Sequence, residues 1–360
     1  MKLEELRKQI DNIDKGIVEL IAERIGLAEQ IGEQKKKEGR QIEDRQREEA
    51  IIDKVREMAL QKGLKEVDIE RIYRQIFIVS RSIQGAFVAF QGELGAYSEE
   101  AAINFFGSDI RLRPYETLEN VFKAVEQGEA QFGIIPMENS IEGSISKSYD
   151  LLLDSPLKVC GETELRVSHC LISNYGVSLD SIKKIYSHPQ ALGQCQAFIK
   201  HLNCELIPAY DTAGSVKMIK EKKIMDGAAI ASRRAATIYN MNIINCGIED
   251  SPNNFTRFFI LSKEDAPPSG NDKTSLVFSV KHRPGALYEF LKQLAEKDIN
   301  MTKLESRPTR QKPWVYNFYL DFEGHRLDSK IKEMLRQLED YTIFLKVLGS
   351  YPKARQNNGD

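Results

Sequence analysis

FVAFQGELGAYSEEAA, residues 87–102, decides how this chain is read. Phe87, Val88, Ala89 and Phe90 form an apolar run of the length of a buried strand. A turn carrying Gly92 and Gly95 follows. Ser98 is then expected as the N-cap of a helix, with Glu99 and Glu100 in its first turn. The pattern of strand, polar loop and helix start recurs downstream. FGIIP (132–136) leads into MENSIEGSI, and IKKIYS (182–187) leads into HPQALGQC, where Pro189 suits a first helical position. GAAIAS (227–232) and TRFFIL (256–261) read as further buried strands. SEEAAINFFG (98–107) and PQALGQCQAFIKHL (189–202) read as helices between them. Strands alternating with helices predict an α/β domain over residues 86–263.

N-terminal to this domain the pattern is purely helical. Leu3, Leu6, Ile10, Ile13, Ile17 and Leu20 recur at spacings of three and four, and Leu27 and Ile31 extend the stripe toward Gly39. That is one helix of roughly 35 residues, about 50 Å long. A second helix is expected from Ile42 to Gly63 and a third from Val67 to Gln84. So short a segment cannot cover so long a helix. The stripe therefore predicts an intertwined dimer of an all-α three-helix domain, residues 1–85, with tetramers left open.

C-terminal to the α/β domain, KEDAPPSGNDK (263–273) reads as a polar linker. TSLVFSV, PGALYEFLKQLAEK, MTKLESR, WVYNFYLDF, DSKIKEMLRQLE and FLKVLGS then give the order βαββαβ. This predicts a small α+β ferredoxin-like domain over residues 274–351.

The chain has 360 residues, 41% of them hydrophobic and 29% charged, which suits several soluble domains. Its 51 basic and 53 acidic residues leave a net charge of -2, so no global field recruits nucleic acid or an anionic membrane. Anion sites must be built locally. The five cysteines form no C-x-x-C pair and are expected as reduced thiols, with neither disulfide framework nor metal site. The opening MKLEELRKQI lacks an apolar signal core, and a cytoplasmic protein is expected.

Candidate site residues lie in all three segments. Arg24 and Lys35 are 11 positions apart and share a helix face. Arg7 and Arg24 diverge by about 100°, so one site uses both only if Arg7 comes from a second chain. Asp44, Arg47 and Glu48 face together on the second helix, as do Ser80 and Gln84 on the third. With LRKQID, A-E-R at 22–24 and D-x-x-R-E at 44–48, residues 1–85 resemble the all-helical chorismate mutase family. The resemblance implies rearrangement of chorismate to prephenate without metal, cofactor or nucleophile. It implies that Arg24 and a partner's Arg7 hold carboxylates, and that Lys35 and Gln84 donate to the ether oxygen. Arg47 and Ser80 complete the anion site, while Asp44 and Glu48 receive the hydroxyl or orient the cations. Gln41-Ile42 departs from the family's common Pro-Val, at a turn.

GELGAYSEEAA, PMENSIEGSI, SHPQALGQC, GIED and TRFFIL, in that order, resemble the prephenate dehydratase family. The implied fold is two α/β lobes around a cleft, similar to type II periplasmic binding proteins. The implied reaction converts prephenate to phenylpyruvate with loss of water and CO2. Thr256 matches the essential threonine, acting as a positioned donor or relay, and Glu138 is a candidate acid if burial raises its pKa. Tyr97, Ser98, Asn139, Ser140, Ser187, His188, Gln190 and Phe258 are candidate prephenate contacts. Arg257 is a candidate carboxylate ligand, although alternation along a strand aims it away from Thr256.

R-P-G-A-L at 283–287 and L-E-S-R-P at 304–308 resemble the ACT regulatory family. The implied ligand is phenylalanine, the end product, bound through Gly285, Ala286, Leu287, Glu305, Ser306, Arg307 and Pro308. Two rival readings stay open here: a monofunctional dehydratase with a helical dimeriser, and a non-catalytic amino-acid sensor. A nicotinamide-dependent dehydrogenase is disfavoured, since no G-x-G-x-x-G follows a strand.

Overall fold

The computed structural model describes residues 3–37, 45–83, 87–108, 110–309 and 316–354. The chain divides between Phe87 and Val88 into two compact units. The first holds α1 (Leu3–Lys37), α2 (Arg45–Gln61) and α3 (Glu66–Ile83). Ile52, Val55, Ala59 and Phe77 are buried among these helices, and Glu70 bridges Arg56 and Arg74 beside them. Among the described residues the α1 stripe has no such cover. Leu20 is 67% exposed, Ile13 61% and Ile10 56%, a row of large apolar side chains left open along one helix.

The second unit begins with β1 (Phe87–Gln91), α4 (Tyr97–Phe106), β2 (Arg111–Tyr115), α5 (Leu118–Glu126), β3 (Phe132–Asn139), β4 (Gly143–Ser144), α6 (Ser146–Asp154) and β5 (Lys158–Arg166). A second lobe follows: β6 (Cys170–Ser173), β7 (Lys184–Ser187), α7 (Pro189–Gly193), α8 (Gln196–Ile199), β8 (Glu205–Pro208), α9 (Thr212–Glu221), β9 (Gly227–Ala231), α10 (Arg233–Ile238) and β10 (Asn242–Cys246). The chain then returns to the first lobe as β11 (Phe255–Ser262). The first sheet runs β2-β1-β3-β11-β5 and the second β10-β6-β9-β7-β8. Two crossovers, β5 to β6 and β10 to β11, join the lobes. Across the cleft Arg234 pairs with Glu99 at 3.0 Å and Lys217 with Glu93 at 3.1 Å.

The C-terminal domain is β12 (Asp272–Ser279), α11 (Ala286–Glu296), β13 (Met301–Pro308), β14 (Tyr316–Glu323), α12 (Ser329–Leu338) and β15 (Phe344–Pro352). Its antiparallel sheet runs β13-β14-β12-β15, as the βαββαβ order predicts. Phe278, Phe290, Leu320 and Met334 form its core. Its other face packs on the first lobe, where β15 meets β5. Among the described residues no helix is long and apolar enough to cross a membrane.

Three expectations are corrected. Cys170 and Cys246 are joined in a disulfide, because the β6–β10 register sets them opposite each other across 76 residues of sequence; Cys160, Cys195 and Cys204 are free thiols. Ser98 does not cap α4. The cap falls two residues earlier, at Ala96, with Tyr97 the first helical residue, and Glu99 reaches back to accept from the Gly95 N–H. PQALGQCQAFIKHL is not one helix but α7 and α8, broken at Gln194-Cys195, with Asp250 accepting from the Gln196 and Ala197 N–H groups.

Candidate functional site

The cleft between the two lobes closes around a cavity of about 160 Å³. Its floor comes from the paired strands β3 and β11, where Asn139 stands opposite Thr256 and Glu138 opposite Arg257. Alternation along each strand sends neighbours to opposite faces. Asn139 and Thr256 face the cavity, and Phe258 lies beside them. Glu138 and Arg257 face the C-terminal domain, bonded to Lys303 at 2.5 Å and Asp321 at 2.6 Å.

Hydrogen bonds fix the floor. The Ile141 and Glu142 N–H groups donate to Asn139 Oδ1, each at 3.0 Å, which turns Asn139 Nδ2 toward Thr256 Oγ1 at 3.0 Å and Asn254 Oδ1 at 2.7 Å. Thr256 Oγ1 thus accepts, and its own hydrogen is left for a group in the cavity. Asn254 donates in turn to Gln194 Oε1 at 2.8 Å. On the walls, Tyr97 and Ser98 come from the start of α4, and His188, Gln190 and Gln194 from around α7. His188 caps α7, its Nδ1 accepting from the Gln190 N–H at 3.3 Å. His169 stands on the β5–β6 crossover, 2% exposed. Its Nδ1 is 2.8 Å from the Tyr97 hydroxyl and its Nε2 3.1 Å from Gln194 Oε1. Burial pulls its pKa below the ordinary imidazole value, against the opposing pull of Gln194 and Glu249. Burial also pushes the Tyr97 phenol well above its usual range.

Seven predicted residues therefore line one cavity: Tyr97, Ser98, Asn139, His188, Gln190, Thr256 and Phe258. Four others do not. Ser187 is fully buried and donates to Ile230 O at 2.6 Å. Ser140 donates to Asn253 O at 2.8 Å, holding the crossover to β3. Arg257 binds carboxylates of the protein itself, Glu162 and Asp321, on the far face of the sheet. Glu138 lies outside the cavity, ion-paired with Lys303, whose own pKa, although lowered by burial, is held at about 12 by Tyr149 and Glu138. Sequence reasoning missed His169, Gln194, Thr212 and Asn254. Gln194 stood inside the quoted SHPQALGQC, and Asn254 two residues before Thr256.

In the helical unit Arg24 donates to Ser80 Oγ at 2.7 Å and stacks over Phe77, so these two predicted residues do meet. Arg7 is exposed on the same helix, about 25 Å away along the axis at 1.5 Å per residue. Arg47 and Glu48 share the first turn of α2. Asp44, Gln84 and the side chain of Lys35 lie outside the described residues.

In the C-terminal domain Gly285 adopts φ +81° at the start of α11, a conformation glycine tolerates and other residues resist. Ala286 is buried and Leu287 packs on the core. Ser306 and Pro308 are exposed on β13. Glu305 and Arg307 point instead to the first lobe: Ser144 donates to Glu305, and Arg307 donates to Ser146 at 2.9 Å.

Comparison with known proteins follows the same three divisions. Residues 6–85 match the model of type II chorismate mutase, 88–266 that of prephenate dehydratase and 274–340 that of the ACT domain. A bifunctional chorismate mutase/prephenate dehydratase from Aquifex aeolicus is 39% identical over 98% of each chain. The solved prephenate dehydratase of Arthrobacter aurescens, in complex with L-Phe, is 30% identical with a TM-score of 0.69, covering 74% of this chain and 90% of that one. GqqA, described as a novel type of quorum quenching acylase, is 34% identical with a TM-score of 0.69, covering 75% of this chain and 98% of that one.

Proposed function

This chain belongs to the bifunctional chorismate mutase/prephenate dehydratase family, and we infer that it carries out both reactions in the cytoplasm under inhibition by phenylalanine. The observation that carries the reading is the pairing of Thr256 with Asn139 on the floor of a two-lobed cleft.

The first reaction is a pericyclic rearrangement. It needs a dianion held in a compact shape and positive charge where the ether oxygen gains electron density. Arginine forks suit the carboxylates. We assign Arg24 and Arg47 to that task, with Ser80 orienting Arg24 and with Lys35 and Gln84 at the ether oxygen. Asp44 and Glu48 take the hydroxyl or align the cations. The bare stripe on α1 supports a homodimer in which a second copy covers it and contributes Arg7.

The second reaction breaks the bond between the ring and its carboxylate. The electron pair moves into the ring as the hydroxyl leaves, and the leaving oxygen needs a hydrogen-bond donor. Thr256 supplies it, since Asn139 occupies the acceptor side of its oxygen. Tyr97, Ser98, His188 and Gln190 offer polar contacts to the substrate. Phenylalanine binds the ACT domain, for which Gly285, Ala286, Leu287 and the exposed Ser306 and Pro308 are the proposed contacts.

Two substitutions test the division of labour. Thr256→Ala should lower dehydratase turnover by about 10²–10³-fold, the loss expected for one preorganised donor, and leave the mutase intact. Lys35→Ala should do the reverse without breaking the dimer. Normal dehydratase turnover in Thr256→Ala would remove the assignment.

A further inference from the structure

Resting on the dehydratase reading, we propose that His169 is a positioning residue: as its neutral Nε2–H tautomer it anchors a one-way chain of hydrogen bonds that aims the Thr256 hydroxyl hydrogen at the substrate.

The direction of the chain follows from its donors. Asn139 Oδ1 is occupied by two backbone N–H groups, so its amide nitrogen must face Asn254 Oδ1 at 2.7 Å and Thr256 Oγ1 at 3.0 Å, with the Phe255 carbonyl a longer third acceptor at 3.2 Å. Asn254 therefore presents its oxygen to Asn139 and its nitrogen to Gln194. Gln194 then presents its oxygen to both Asn254 and His169. An oxygen acceptor opposite Nε2 requires a hydrogen on Nε2. In the neutral ring favoured by burial, a hydrogen on Nε2 leaves Nδ1 bare as an acceptor facing the Tyr97 hydroxyl at 2.8 Å, and that hydroxyl shares its one hydrogen between Nδ1 and the Ser168 carbonyl, also at 2.8 Å. Every orientation from His169 Nε2 through Gln194 and Asn254 to Asn139 is thus determined by the next.

The chain also crosses the cleft. Tyr97 and Thr256 belong to the first lobe, Gln194 to the second, and His169 and Asn254 to the two crossovers. His169 is held there by its own backbone, whose N–H donates to Glu249 at 2.8 Å and whose carbonyl accepts from the Gly247 N–H at 2.9 Å. Losing the ring hydrogen at Nε2 frees Gln194 to turn its amide. A turned Gln194 would set nitrogen against the Asn254 nitrogen, and Asn254 would turn in its place. Asn139 could not follow, because its oxygen is pinned. The conflict falls on the donors of Asn139, whose hydrogens must be shared anew between Phe255 O and Thr256.

The test uses the full-length protein with 15N-labelled histidine. Of its five histidines, His169 is assigned by the signals that His169→Gln removes. At pH 7.5 the proposal requires a bare-nitrogen signal for Nδ1 and a protonated one for Nε2. An Nδ1–H tautomer or an imidazolium overturns it. Kinetically, His169→Leu should lower kcat on prephenate by about 10²-fold, the scale of a small misalignment, with KM little changed. His169→Gln, which can still donate to Gln194, should recover most of kcat. A Gln variant as slow as Leu, or a Leu variant with normal kcat, contradicts the proposal. Absence of turnover in the unmodified protein would instead sink the dehydratase reading itself.

Discussion

The guanidinium of Arg257 lies 2.6 Å from the carboxylate of Asp321 and so ties the strand bearing Thr256 to the sheet of the ACT domain. Glu162 closes the cluster from β5, 2.6 Å from Arg257 and 2.8 Å from Lys273, while Ser275 donates to Asp321 at 2.5 Å. Removing one member of a buried charge cluster leaves the others unpaired. Asp321→Ala should therefore destabilise the second unit by about 3–5 kcal/mol. A urea titration of the variant reads this as a lower midpoint, while mutase activity, carried by the separate helical unit, persists at low urea.

Lys303 makes the matching contact on β3. It reaches Glu138, the strand neighbour of Asn139, at 2.5 Å. Lys303→Met keeps the unbranched apolar stem, one atom shorter, and removes the tie. Phenylalanine should still bind, but its grip on dehydratase turnover should weaken by at least about fivefold, the lower end of ordinary allosteric coupling. Calorimetry for binding and an inhibition curve for turnover separate the two effects. Unchanged inhibition would show that this contact carries no signal.

At Gly349 the backbone of β15 lies directly against that of β5. A Cβ there would meet Val159 O at 2.1 Å and Val159 N at 2.8 Å, both backbone atoms that cannot rotate away. Gly349→Ala should force β15 from β5 and cost about 1–3 kcal/mol, the range for overpacking. Thermal unfolding of the variant checks this.

The buried imidazole of His169 has a consequence for stability. Its folded pKa is lowered from 6.5, chiefly by burial, with Gln194 and Glu249 opposing, while the unfolded chain keeps the ordinary value. Between those two values the unfolded chain binds more protons, so stability rises with pH. The contribution is complete above pH 6.5 and is lost as the pH falls toward the folded value. His169→Gln should lose less stability than the unmodified protein between pH 7 and pH 5, measured by urea titration at each pH.

The fold was legible wherever a pattern is local. The α1 stripe, the βαββαβ order and the apolar cores of β1, β3, β7, β9 and β11 all follow from spacing within one element. β5 was not legible, because KVCGETELR alternates charge along a strand whose far face is covered by another domain; its Glu162 side chain is fully buried. The floor of the site was legible through Asn139 and Thr256, which stand in long motifs. His169 was not, since a lone histidine on a crossover has no spacing to betray it. The Cys170–Cys246 bond was hidden for a related reason: strand register, absent from the sequence, sets the two opposite each other.

Incubating the purified protein with chorismate alone, and following phenylpyruvate with and without phenylalanine, tests the central claim most directly. Both reactions in one chain predict that phenylpyruvate accumulates with no added enzyme, and that phenylalanine suppresses it. Chorismate left unconsumed, or prephenate piling up with no phenylpyruvate, would contradict the account.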